Sequence, residues 1–225
     1  MVAPLLQKVP YDMRDFAPIS QVAKEFFIVA VHPSLPIKSI KELIALAKAK
    51  PGQLNYGSGS PGGPGHIAME LFKSISGANI VWIPFKGSQP ALTATISGEV
   101  QVTVANPAIV MPQMQTGKLK GLAITSATPS EMIPNLPTVA ASGLPGYEMV
   151  LFAGGFAPAK TSRAIVNRLS QEIVRALSQS DVKQKFLTWG VEAVGSSPEQ
   201  LDAVVKADIN KIAKVIKEAN IKLEQ

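Results

Sequence analysis

The stretch Ser58-Gly-Ser-Pro-Gly-Gly-Pro-Gly-His66 contains the residue types from which a backbone-built anion site is made. Glycines at Gly59, Gly62, Gly63 and Gly65 allow amide N–H groups to approach a ligand closely, and a helical pattern starting at His66 would turn its positive end toward the same place. That is a site for an anion. A plain strand-to-helix connection that needs glycine only for its turn is the other reading, and the loop alone does not separate the two. A nucleotide-phosphate loop is a poor match, because G-x-x-x-x-G-K-[ST] requires a Lys and a Ser/Thr that are missing. The Rossmann fingerprint also fails, since no acidic residue ends a following strand about 20 residues on to hold a ribose. His66 could donate a ring N–H to a carboxylate, or it could pin the loop through a backbone hydrogen bond.

Two further turns join this loop. Lys86-Gly87-Ser88 follows an apolar strand pattern and precedes a helical one, so a cation and a backbone turn would sit at the carboxyl edge of the sheet, where ligands bind in open α/β folds. Asn106-Pro107 takes the equivalent place after the next strand, with an amide that can donate and accept, although Asn is also an ordinary helix cap. Ser58, Ser60, Lys86 and Asn106 with the intervening glycines therefore form one candidate edge. His32, beside Pro33, reads as structural. Glu42, Glu70, Glu172, Glu199 and Asp202 fall on predicted helix surfaces or caps, where solvation explains them.

The composition narrows the function classes. There is no cysteine and there are only two histidines, so hydrolytic triads and common zinc sites have few possible members. No catalytic residue, metal or cofactor is expected. The net charge is +6, but the basic residues are scattered over several predicted helices, which speaks against a nucleic-acid surface and leaves only a mild pull on anions. No run approaches the ~18 apolar residues of a membrane span, and the first residues lack the pattern of an export signal.

The elements that would position these groups alternate. A β-branched and aromatic run over 26–31 reads as a buried strand, and Ser39 with Glu42 forms a capping box for the next helix. Strands near 54–56, 80–85, 100–105 and 119–125 then alternate with helices beginning near His66, Pro90 and Pro107; Gly98 and Gly117 sit at expected C-caps. This is the pattern of an α/β protein with a mostly parallel sheet covered on both faces. Residues 128–146 are rich in Pro and Gly. An extended segment around Phe152, two helices near 162–178 and 198–219, and a short strand at 191–194 complete the chain.

The phrases Leu35-Pro-Ile-Lys-Ser-Ile-Lys-Glu-Leu-Ile, Leu54-Asn-Tyr, Pro64-Gly-His-Ile-Ala-Met-Glu-Leu-Phe, Ile83-Pro-Phe-Lys-Gly and Pro134-Asn-Leu-Pro-Thr-Val-Ala, in this order, resemble the tripartite tricarboxylate transporter receptor family, the Bug-type periplasmic solute-binding proteins. The match covers nearly the whole chain. It implies a periplasmic-binding-protein-like fold of two α/β lobes closing on a small organic carboxylate, which is handed to membrane permease subunits without being chemically changed. By the same resemblance, the 58–66 loop, Lys86-Gly87, Asn106 and Phe152 should face the ligand cleft, and the location would be periplasmic. Gly63 and Ala105 replace a hydroxyl and an acidic residue common in relatives, which implies a different ligand preference.

The resemblance also implies an incomplete first lobe, because relatives open with a signal peptide, a strand and a glycine loop that have no counterpart here. The expected division is a complete lobe at 33–145, the second lobe of the family, with 1–32 and 146–225 as a remnant of the first and two chain crossings between them. The apolar face of Ile165, Leu169, Ile173 and Leu177 would then lose part of its cover, inviting self-association. An intracellular effector-sensing module on a related two-lobed fold is the alternative function.

Overall fold

The structure, a computed structural model, describes residues 3–221. Its helices are α1 (Ala3–Leu6), α2 (Ile40–Ala49), α3 (Pro64–Ser76), α4 (Ser88–Ile96), α5 (Pro107–Gln115), α6 (Arg163–Leu177), α7 (Ser180–Thr188) and α8 (Pro198–Glu218). Its strands are β1 (Phe16–Phe26), β2 (Ile28–Val31), β3 (Leu54–Ser58), β4 (Ile80–Pro84), β5 (Val102–Ala105), β6 (Lys120–Ile124), β7 (Val150–Pro158) and β8 (Glu192–Ala193). The chain divides into two compact units: Phe26–Val150 with the stretch from Val215 onward, and the stretch up to Glu25 with Leu151–Lys214.

The larger unit is built on a five-stranded sheet of order β4-β3-β5-β2-β6. β3 pairs parallel with β4 and β5, and β2 pairs antiparallel with β5 and β6, so four strands run one way and β2 opposes them. Within this sheet β2 is the one exception to the parallel arrangement expected from the sequence. It enters from the smaller unit, with only Phe27 between β1 and β2. All four β2 residues are fully buried, as the covered middle of an α/β sheet requires. This strand therefore belongs to the larger unit, which starts at 26 rather than 33, and the chain passes between units three times rather than twice because the last crossing falls within α8.

Local signals account for the remaining elements of this unit. Ser39 Oγ accepts the Glu42 N–H at 3.2 Å at the start of α2, while the Glu42 carboxylate reaches back to the Lys38 N–H, one residue earlier than the expected partner. Gly77, Gly98 and Gly117 all follow helix ends with positive φ, the left-handed geometry glycine adopts without a Cβ penalty. On one face of the sheet Ile28, Ala30, Leu92, Ala105, Val110, Leu119 and Ile124 pack with Phe26 and Ile133. Near 138 the chain makes a turn, with Thr138 bridged in parallel to Ile124.

The smaller unit has a three-stranded sheet of order β7-β1-β8, with β1 and β8 antiparallel. Two of its elements escape the sequence reading. β1 carries Pro18, Lys24 and Glu25, and α7 is a short helix with no fully buried residue, so neither shows a clean apolar period. Ile19, Ala157 and Val166 form its buried cluster, with Ala17 and Ile173 packed against them.

Candidate functional site

The parallel register sets β3, β4 and β5 level. Ser58 pairs with Pro84 and Gly57 with Thr103, so the loops leaving these strands emerge at one edge. The connection from β3 leads through α3 to β4 on one side, and that from β5 leads through α5 to β6 on the other. The two connections diverge, and the crevice they leave outside the strand ends is where open α/β sheets bind ligands. The loops pack closely there. A Cβ added to Gly59 would lie 3.5 Å from Gly87 Cα, and one added to Gly65 only 2.8 Å from the Val104 carbonyl oxygen. The glycine loop is thus wedged between the ends of β4 and β5, and Gly65 must lack a side chain.

Helix caps determine what this edge can hold. Gly63 caps α3 and Gly87, at φ +116°, caps α4, and neither supplies a side-chain hydrogen bond. First-turn amides of both helices are therefore not consumed by a cap, and their positive ends point toward the edge. α5 differs: Asn106 Oδ1 accepts the Ala108 N–H at 2.6 Å, so the Asn106 amide acts as a cap. Lys86 is exposed at the end of β4, where its charge can reach an anion. Gly62, at φ +70°, turns the loop, closed by a Gly63 N–H to Ser60 oxygen bond of 2.9 Å.

His66 faces inward. It is only 6% exposed; its Nδ1 accepts the Gly62 N–H at 3.0 Å and its Nε2 lies 3.8 Å from Glu70 Oε1. Its ring stacks on the Trp82 indole with centroids 3.9 Å apart. Of the two roles open in the sequence, this geometry supports pinning the loop. Burial lowers the His66 pKa, Glu70 pulls it up and Lys73 pushes it down, leaving it below the ordinary histidine value. Ser58 is likewise buried, its Oγ accepting the Trp82 Nε1–H at 2.8 Å.

Glu70 is not the solvated helix residue expected from sequence. It is 9% exposed and its Oε1 accepts both the Tyr56 hydroxyl and the Lys73 ammonium at 2.7 Å. Desolvation and the Glu70 charge push the Tyr56 phenol far above its usual range, so it stays a donor. The spacing of His66, Glu70 and Lys73 along one helix face was a readable sign of this cluster. Tyr56 and Trp82 join it only through the sheet. Phe152 lies half-buried on β7, in the smaller unit. The other acids behave as surface groups: Glu172, Glu199 and Asp202 pair with Arg168, Arg163 and Lys206. His32 Nδ1 meets Ser34 Oγ at 2.7 Å, a local structural contact.

The model of the tripartite tricarboxylate transporter family receptor matches residues 1–221. The chain belongs to this receptor family. It is 31% identical to protein BugT of Bordetella pertussis over 98% of this chain and 68% of that protein, and 29% identical to a UPF0065 protein from the tcbD-tcbE intergenic region of Pseudomonas sp. strain P51 over 97% and 66%. The chain therefore spans about two thirds of these relatives' length. Among solved structures, R. palustris Rpa4515 with adipate superposes at TM-score 0.81 with 33% identity, covering 97% of this chain and 74% of that one. MatC from Rhodopseudomonas palustris with bound malate superposes at 0.76 with 25% identity, over 96% and 74%. The family is one of solute-binding receptors rather than enzymes, and the α/β fold is that of periplasmic solute-binding proteins. Among the described residues no helix is long and apolar enough to cross a membrane.

Proposed function

We propose that the receptor edge formed by the 58–66 loop, the Lys86-Gly87 turn and Asn106 binds a small organic carboxylate in the periplasm, without turnover, for delivery to the permease subunits of a tripartite tricarboxylate-type transporter. One observation carries this reading: two helices without side-chain caps, α3 and α4, start from loops that meet at Gly59 and Gly87 on the carboxyl edge of the sheet, next to an exposed lysine. Amide dipoles and a cation held there favour a carboxylate without reorganising. The adipate and malate bound by the R. palustris neighbours are of the same chemical class.

The test is a ¹⁵N-¹H NMR titration of the 225-residue chain with adipate, malate and the neutral diamide of adipate. Amides of 59–66 and 86–88 are expected to shift with the two dianions and not with the diamide, and Lys86→Ala should weaken the response. Shifts confined to another region, or equal shifts with the diamide, would overturn the assignment.

A further inference from the structure

We propose that Trp82 is a positioning residue for the glycine loop, one indole clasping the loop at both ends. Its Nε1–H donates to Ser58 Oγ at 2.8 Å, where the chain leaves β3, and its face backs the His66 ring, where the chain enters α3. Register makes this possible. Tyr56 pairs with Trp82 across the parallel β3–β4 ladder, and Ser58, two residues further on, projects to the same face. α3 covers that face with His66, Glu70 and Lys73.

The clasp determines the chemistry of His66. The Gly62 N–H needs a lone pair on Nδ1, so the proton resides on Nε2, toward Glu70. Glu70 is held in turn by Tyr56 from β3 and by Lys73 from its own helix. Trp82, which cannot titrate, closes the opposite side of the ring by stacking 11° from coplanar. The indole supplies both a flat face and a donor at its rim; Phe keeps the first and loses the second. The consequence is a loop whose amides are held in place before any ligand arrives, which lowers the ordering cost of binding.

This inference rests on the carboxylate reading only for its binding arm. The experiment uses the 225-residue chain carrying Trp189→Phe, so that emission reports Trp82 alone, with ¹⁵N NMR of the His66 ring and the loop amides. The Nε2–H tautomer, a slowly exchanging indole proton and emission that titrates together with the His66 ring are expected. Trp82→Phe should keep the tautomer and weaken adipate binding about 2- to 10-fold, the worth of one hydrogen bond. Ser58→Ala should do the same, and the two together no more than either alone. Trp82→Leu should admit both tautomers and move the amides of 59–65. An unchanged tautomer and unchanged loop amides in Trp82→Leu would overturn the proposal. Should these variants not fold, a freely exchanging indole proton or mixed tautomers with Trp82 intact would overturn it too. If adipate gives no response while the loop signatures behave as stated, the carboxylate reading fails and the clasp stands.

Discussion

The two units are assembled from similar parts with different success at burial. In the five-stranded unit the helices find a sheet wide enough to cover them: Ile67, Met69 and Phe72 of α3 are almost fully buried, as is every residue of β2. In the three-stranded unit α6 is amphipathic, yet Ile165 is 54% exposed and Leu169 42%, and Trp189 beyond α7 is 55% exposed. Ile173 packs against the small core and Leu177 is buried, so the apolar face is covered at one part and bare at another. An apolar stripe on a helix states a need for cover; whether that need is met depends on the number of strands available to it.

Removing matched apolar side chains from the two units should give the largest contrast between them. Ile28→Ala should lower the stability of the five-stranded unit by about 2–5 kcal/mol, whereas Ile165→Ala should stay within about 0.5 kcal/mol in the other. Hydrogen exchange, which follows each unit separately, makes the measurement, and equal costs would refute the difference. Next in size is Gly65→Ala. Its new Cβ would press on the Val104 backbone oxygen, and a loss of about 1–3 kcal/mol is expected in urea unfolding. Gly155→Ala in the smaller unit meets nothing nearer than 3.7 Å and should cost distinctly less.

A pH dependence between pH 7 and 5 is expected from His66 in the larger unit. The unfolded chain protonates His66 near the ordinary value of about 6.5, while the buried ring resists until lower pH. His66 therefore contributes stability that is present above about pH 6.5 and is lost as pH falls toward the lowered folded value. Thermal melts from pH 7 to 5 should show this loss, and His66→Asn, which keeps an acceptor near Nδ1, should reduce it. The smallest effect concerns the exposed face of the smaller unit. Leu169→Lys with Trp189→Gln should hardly change stability but should reduce self-association in sedimentation velocity.

Much of this was readable in the chain. The glycine run, the Ser39 cap, the glycines after helix ends and the strand–helix alternation depend on residues within a turn or two of one another, so the order of elements and the place where a loop meets a helix N-terminus follow from sequence alone. The family phrases are equally local. β1 and α7 escaped because charged or proline residues interrupt their apolar period.

Tertiary structure decided the rest. β2 lies in the five-stranded sheet because β5 and β6 pair with it, a choice its own apolar residues do not encode. His66 points inward because Trp82, reached through the β3–β4 register, offers its ring a face, and Glu70 is buried because Tyr56 donates to it across 14 residues of chain. A side chain's chemistry depends on which groups surround it, and pairing between distant strands selects those groups.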